Sequence, residues 1–233
     1  MSEDNQTLPV HIGFIVDGNR RWAKKHGLPT YEGHLAGYNS LKDVLLEVLR
    51  CGVTYVSAYV FSTENWKRST EEVGHLIKLF VKVLEADVPI FIDNNVRLRV
   101  IGSRDNLPSA LNKAINAAEE KTKDLDGGQL LLCLNYGGHL EIVDAVKKII
   151  RSGVKAEDVT ADCIADNLYA PEVPPCDLIV RTSGEQRLSN FMLWRSAYSE
   201  MLFIEKNWPD MKQEDVRDIL DEYARRNRRF GGE

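Results

Sequence analysis

The run Asp17-Gly18-Asn19-Arg20-Arg21-Trp22 concentrates more chemistry than any other stretch of the chain. It follows an apolar run of strand length, His11 to Val16, and its glycine and asparagine suit a tight turn and a helix cap. A carboxylate beside two arginines at the start of a helix can hold a divalent cation and a phosphorylated ligand together. The same residues also serve an ordinary strand, turn and helix with an asparagine cap and solvated arginines. Three more apolar runs end in comparable text: Ser62-Thr63-Glu64-Asn65-Trp66-Lys67-Arg68, Asn135-Tyr136-Gly137-Gly138-His139 and Arg181-Thr182-Ser183-Gly184-Glu185-Gln186-Arg187. Arginines, small hydroxyls, glycines that admit backbone amides and a carboxylate are an inventory for a diphosphate rather than for a carbonyl or a peptide.

The elements that must position these runs follow from periodicity. Strands are expected at Val53 to Phe61, Val96 to Ile101, Gln129 to Leu134, Asp177 to Val180 and Met201 to Ile204, besides the first. Helices are expected from Gly33 to Arg50, from 70 to 93 with a bend at Pro89, from Leu107 to Lys123, from Glu141 to Arg151, from Thr160 to Tyr169 and from Gln213 to Arg228. Strands alternating with helices imply an α/β single domain, a mainly parallel sheet of about six strands flanked by helices, with residues 1–10 as a flexible N-terminal segment and 11–233 as the folded unit. In such a sheet the functional runs share the carboxyl edge, where ligands bind. The helix over 70–93 is apolar nearly all round, which fits either a place inside the core or at a subunit interface, or the wall of an apolar channel.

Composition narrows the classes further. The chain has 233 residues and a formal charge of -5, which argues against a general nucleic-acid binder. No apolar run reaches membrane-span length and the N-terminus lacks signal-peptide character, so the expected location is cytoplasmic. The four cysteines are dispersed without a C-x-x-C, which favours buried thiols over zinc or disulfides. G-x-x-x-x-G-K-[ST], G-x-G-x-x-G and G-x-S-x-G are all missing, so P-loop, dinucleotide-binding and serine-hydrolase readings lack support.

The order of long motifs resembles the cis-prenyltransferases, the undecaprenyl diphosphate synthase family, over residues 11–232. The matching text is His11-Ile-Gly-Phe-Ile-Val-Asp-Gly-Asn-Arg-Arg-Trp-Ala23, Gly33-His34-x-x-Gly37, Tyr59 to Arg68, Asn135 to Gly138, Arg181 to Phe191, Trp208-Pro-Asp210 and Arg228-Arg-Phe-Gly-Gly232. The resemblance implies a Mg²⁺-dependent transferase, a homodimer, that adds isopentenyl diphosphate to an allylic diphosphate such as farnesyl diphosphate with new cis double bonds. The product would be a precursor of a glycosyl carrier lipid, with peripheral membrane contact through that lipid. By motif position Asp17 would hold Mg²⁺ and act with Asn65 in catalysis. Gly18, Asn19, Arg21 and His34 would receive the allylic diphosphate, with Arg20 and Trp22 also among the substrate-binding residues. Ser62, Thr63, Glu64, Trp66 and Arg68 would belong to a loop over the reacting centre, and Arg181, Arg187 and Ser189 would take isopentenyl diphosphate. Glu200 would be a second metal-linked carboxylate contributed across the dimer, and Arg229 would reach the partner's site.

The chain also departs from that pattern. Arg20 stands where many bacterial relatives have glycine, and Thr30 where relatives often carry an arginine for the allylic diphosphate, so Arg20 is expected to compensate. Val60, Pro89, Phe91 and Ile92 are the expected limits on product length. Two alternatives stay open: a short-chain or branched product, and a non-catalytic subunit of a heteromeric transferase. Non-catalytic subunits usually lose Asp-Gly-Asn and Arg-x-x-x-x-x-Arg, and this chain keeps both.

Overall fold

A computed structural model describes residues 8–226. In chain order the elements are β1 (His11–Ile15), α1 (Asn19–Lys25), α2 (Thr30–Arg50), β2 (Tyr55–Ser62), a 3₁₀ turn (Thr63–Lys67), α3 (Thr70–Ala86), α4 (Val88–Asp93), β3 (Arg97–Ile101), α5 (Ser109–Thr122), β4 (Gln129–Tyr136), α6 (Gly138–Ser152), α7 (Ala161–Ala165), β5 (Leu178–Arg181), β6 (Glu200–Phe203) and α8 (Glu214–Ala224). The strands form one parallel sheet in the order β3-β4-β2-β1-β5-β6. Ile15 is level with both Tyr59 and Arg181. The runs after β1, β2 and β5 therefore start from one line across the sheet, and the end of β4 pairs with the end of β2 through Tyr136 and Ser62.

Strand alternation sorts the core into two faces. Phe14, Val56, Ala58, Leu98, Leu132 and Val180 lie with the apolar stripes of α2, α3, α5 and α8 in one cluster. Ile15, Tyr59, Leu131, Cys133 and Ile179 meet Val173, Cys176, Phe191 and Met192 in the other. That second face also encloses an ion pair between Arg195 and Glu141 at 2.6 Å, which α6 shares with the chain leading into β6. Cys133 and Cys176 are the buried thiols, while Cys51 is exposed and Cys163 half-buried.

Several expectations change, and the helix expected from Thr160 to Tyr169 spans only Ala161–Ala165. The helix expected over 70–93 is two helices that part at Asp87, ahead of Pro89. A proline tolerated in a first helical turn, where its missing N–H is not needed, starts a helix rather than bending one. Helix α2 begins at Thr30, with Pro29 extended at its N-cap, three residues before the expected start. Of the segment 1–10, residues 1–7 lie outside the described residues, whereas Pro9 is buried and Leu8 packs on the core. Among the described residues no helix is long and apolar enough to cross a membrane.

Candidate active site

Asp17 sits two residues beyond β1, at the centre of the carboxyl edge. Its Oδ1 accepts the Gly18 N–H at 2.7 Å and lies 3.2 Å from Arg21 Nη2; its Oδ2 accepts from Arg181 Nη2 at 3.0 Å. Gly18 turns the chain from β1 into α1 with φ 104, and a Cβ there would lie 2.5 Å from Asn207 Oδ1, so only glycine fits. The carboxylate is thereby aimed by one backbone amide and two guanidinium groups while its side chain stays 29% exposed.

Two clefts meet at Asp17. The larger, about 890 Å³, is lined by Gly18, Asn19, Arg20, Arg21, Thr30, His34, Asn65, Arg68 and Arg187, with Lys24, Tyr59 and Glu185. The second, about 540 Å³, is lined by Ser62, Glu64, Asn65, Arg68, Arg181 and Ser189, with His139 and Asn190. Asp17, Tyr59, Asn65 and Arg68 line both. Arg181 is almost wholly buried and donates to Ser189 Oγ at 2.7 Å and to the Arg187 carbonyl.

Helix α1 lies close on α2 because Gly33 and Gly37 carry no Cβ. An added one would lie 2.2 Å from the Asn19 carbonyl oxygen at Gly33 and 2.3 Å from Asn19 Oδ1 at Gly37. This approach puts His34 in the cleft wall, where its Nε2 is 3.2 Å from Glu72 Oε1; the same oxygen accepts from Arg68 Nη1 at 3.0 Å. Burial holds the His34 imidazole below its usual pKa, partly offset by the Glu72 hydrogen bond. Burial pushes the Glu64 carboxyl up, but hydrogen bonds from its own backbone, Asn190, Ser62 and Thr63 outweigh that and leave it below its ordinary value. Glu185 bridges Arg21 at 3.0 Å and Arg187 at 2.5 Å, and the Arg187 contact draws its pKa down.

An apolar cavity of about 60 Å³ continues from the larger cleft between the sheet, α2 and α3. Val16, Asn19, His34, Val60 and Leu76 line both spaces, while Tyr38, Leu41, Phe80, Val83 and Leu132 close the inner end. Of the residues expected to limit this channel, only Val60 lies on its wall. Phe91 is packed in the core and Ile92 is 43% exposed, both on α4, beyond the helical break at Asp87.

Several expected site residues stand elsewhere. Trp22 donates to Asp210 Oδ1 and stacks on His26, and Trp66 donates to Asn135 Oδ1 and meets the Phe61 ring edge-on. Thr63 faces Gly137. Arg187 lies across from Arg21 rather than with Ser189. Glu200, at the amino end of β6, is level with Leu178, the far end of the sheet from Asp17, and pairs with Arg226 at 3.2 Å. Within one chain it is not brought to Asp17. Arg229 lies outside the described residues. Sequence reasoning did not single out Glu72, Glu185, Asn190, His139, Tyr59 or Lys24. Glu185 and His139 stood in the quoted polar runs, but nothing in spacing marked them off from loop residues.

The donor set at Asp17 bears on a metal. Among the described residues no three His, Cys, Asp or Glu side chains converge. One outward-facing carboxylate among arginines does not make a protein cage. It does suit Mg²⁺, which keeps waters and binds through one or two carboxylates plus substrate phosphates.

Comparison with known proteins gives matches over nearly the whole chain. The family model described as "Putative undecaprenyl diphosphate synthase" matches residues 15–231. An isoprenyl transferase of Thermotoga maritima is 45% identical over 227 residues, covering 97% of each chain. One from Clostridium perfringens is 47% identical over 230 residues, covering 97% of this chain and 90% of that relative. The crystal structure of lavandulyl diphosphate synthase from Lavandula x intermedia in complex with dimethylallyl diphosphate superposes with a TM-score of 0.93 at 31% identity, over 97% of this chain and 99% of that one.

Proposed function

Since the chain belongs to the undecaprenyl diphosphate synthase family of isoprenyl transferases, we propose that it condenses isopentenyl diphosphate with an allylic diphosphate to give a cis-polyprenyl diphosphate. The observation that carries this reading is the junction at Asp17: two cationic clefts meet at one carboxylate, and an apolar cavity continues from the larger of them past Val16 and Val60. The allylic diphosphate lies against Asn19, Arg20, Arg21 and His34 with its hydrocarbon tail directed past Val60. Isopentenyl diphosphate lies against Arg181 and Ser189, while the Arg187 side chain lines the larger cleft beside Arg21 and Glu185.

The allylic C–O bond breaks and the allylic carbon bonds to the terminal methylene, C4, of isopentenyl diphosphate; the diphosphate leaves with the C–O electron pair, positive charge builds at C3, and C2 gives its proton to the released diphosphate as its C–H pair becomes the new C2=C3 double bond. Arg21 neutralises the departing diphosphate, the His34 imidazole hydrogen-bonds it, and Arg181 orients the second substrate. Mg²⁺ held by Asp17 and the phosphates, when bound, adds charge neutralisation at the leaving group. The surrounding apolar walls exclude water from the allylic carbon. A homodimer would supply Glu200 and Arg229 across the interface, and the product would serve as a carrier-lipid precursor released at the membrane surface.

A second reading, a short or branched product, draws support from the small apolar cavity and from the likeness to lavandulyl diphosphate synthase. Radiolabelled isopentenyl diphosphate with geranyl, farnesyl or geranylgeranyl diphosphate, with and without Mg²⁺, tests both. A ladder of long products supports the first reading and one-step products the second. No incorporation with any primer would leave only the non-catalytic subunit.

A further inference from the structure

Asn190 ties together three segments that wall the second cleft. Its backbone carbonyl accepts the Gly138 N–H at 2.7 Å, its Oδ1 accepts the His139 N–H at 2.9 Å, and its Nδ2 donates to Glu64 Oε1 at 2.9 Å. The first two bonds seize the start of α6; the third holds the 3₁₀ turn that follows β2. Its neighbour Ser189 is the residue whose hydroxyl takes Arg181 Nη1. Asn190 adopts φ 67, a left-handed conformation that asparagine tolerates better than most residues. Space is also kept for it: a Cβ on Gly137 would lie 2.8 Å from Asn190 Nδ2 and 2.7 Å from Thr63 Oγ1.

We infer that Asn190 is a positioning residue that couples the Glu64 turn to the site for the second substrate. The inference rests on the functional reading above. Arg181 and Ser189 supply the contacts to isopentenyl diphosphate, and Asn190 sets where Glu64 and the start of α6 stand relative to them. The first cleft is outside its reach, since Arg20, Arg21 and His34 make no hydrogen bond to it among the described residues.

Asn190→Asp tests the coupling with little disturbance to folding. Aspartate tolerates the same backbone conformation and keeps both acceptors for α6, but it turns an oxygen toward Glu64 Oε1 in place of the amide donor. Loss of one charge-assisted hydrogen bond corresponds to about tenfold. The expected result is therefore a rise of about that size in KM for isopentenyl diphosphate, with KM for the allylic substrate unchanged. In Asn190→Asp/Glu64→Gln the donor is restored from the other side, so KM should return to that of Glu64→Gln alone. An active wild type with unchanged KM in Asn190→Asp, or a double variant no better than the single one, overturns the inference alone. A wild type that incorporates no isopentenyl diphosphate with any primer removes the functional reading, and the inference with it.

Discussion

Replacing Asp17 by asparagine separates what the carboxylate does for the fold from what it does for chemistry. The substitution keeps shape and an oxygen for the Gly18 N–H, but removes the charge that faces Arg21 at 3.2 Å and Arg181 at 3.0 Å. Breaking a buried pair can cost about 3–5 kcal/mol when the remaining charge is left bare. Here Asp17 is 29% exposed and Arg181 keeps Ser189 Oγ and the Arg187 carbonyl, so the cost falls to about 1–2 kcal/mol. In a chain of this size that lowers Tm by about 2–8 °C, and with a total stability of about 5–15 kcal/mol the protein stays folded at 25 °C. Asp17 acts on the leaving anion through the cation it would hold, and loss of one such preorganised electrostatic contribution at a developing anion costs about 10²–10³ in kcat. Incorporation of radiolabelled isopentenyl diphosphate should fall by that factor, and the Mg²⁺ concentration for half-maximal activity should rise. A variant with kcat within about threefold of wild type would refute the role given to Asp17. A variant that loses activity only in proportion to its unfolded fraction would do the same.

The other predictions are narrower. His11 is buried at the amino end of β1, with Nδ1 2.9 Å from the Pro174 carbonyl and Nε2 2.7 Å from Ser57 Oγ; burial lowers its pKa from 6.5 to about 4. The unfolded chain takes up the proton first as pH falls, so the contribution is complete above pH 6.5 and is lost between 6.5 and about 4, about 3 kcal/mol in all. Tm of His11→Gln should depend less on pH over that window, and equal slopes for the two proteins would contradict the assignment. Phe80→Ala should lengthen the product distribution and Val60→Phe shorten it, read from the radiolabelled ladder; identical ladders would remove the apolar cavity as the tail's path. Arg20→Gly should raise the allylic KM about fivefold, the effect of one partly screened phosphate contact, and Thr30→Arg should lower it. No change in either would end the idea that Arg20 replaces a missing arginine.

Much of this arrangement was readable from residue order because it depends on local patterns. β-Branched and aromatic runs ending in Asp17, Ser62, Asn135 and Arg181 specify strands, and parallel strands bring such ends to one edge. What could not be read depends on pairing across space. Nothing around Glu72 distinguishes a helix-start carboxylate from one whose Oε1 serves His34 and Arg68 at once. Pro89 signals an interruption, but whether it bends a helix or starts a new one depends on where the preceding turn ends, and that turn closes at Asp87. Arg187 stands six residues from Arg181 yet points into the other cleft, because left-handed residues at Ser183, Gly184 and Ser189 fold the loop back on itself.

Glu72 and Glu185 also account for how so many cations can share one rim before any anion arrives. Four guanidinium groups in the two clefts have a carboxylate partner: Arg181 on Asp17, Arg21 on Asp17 and Glu185, Arg187 on Glu185, and Arg68 on Glu72, which also holds the His34 imidazole. Without those partners the guanidinium groups would repel one another and sample many rotamers, and a diphosphate would have to order them on binding. With them, each cation is already aimed, and an entering phosphate exchanges one anionic partner for another. Arg20 has no such carboxylate among the described residues, although it lines the same cleft beside Thr30. It is the guanidinium whose contact with an anion displaces nothing, and it stands beside Thr30, which brings no charge of its own. That is why the effect of Arg20→Gly should appear in the allylic KM and leave kcat almost untouched.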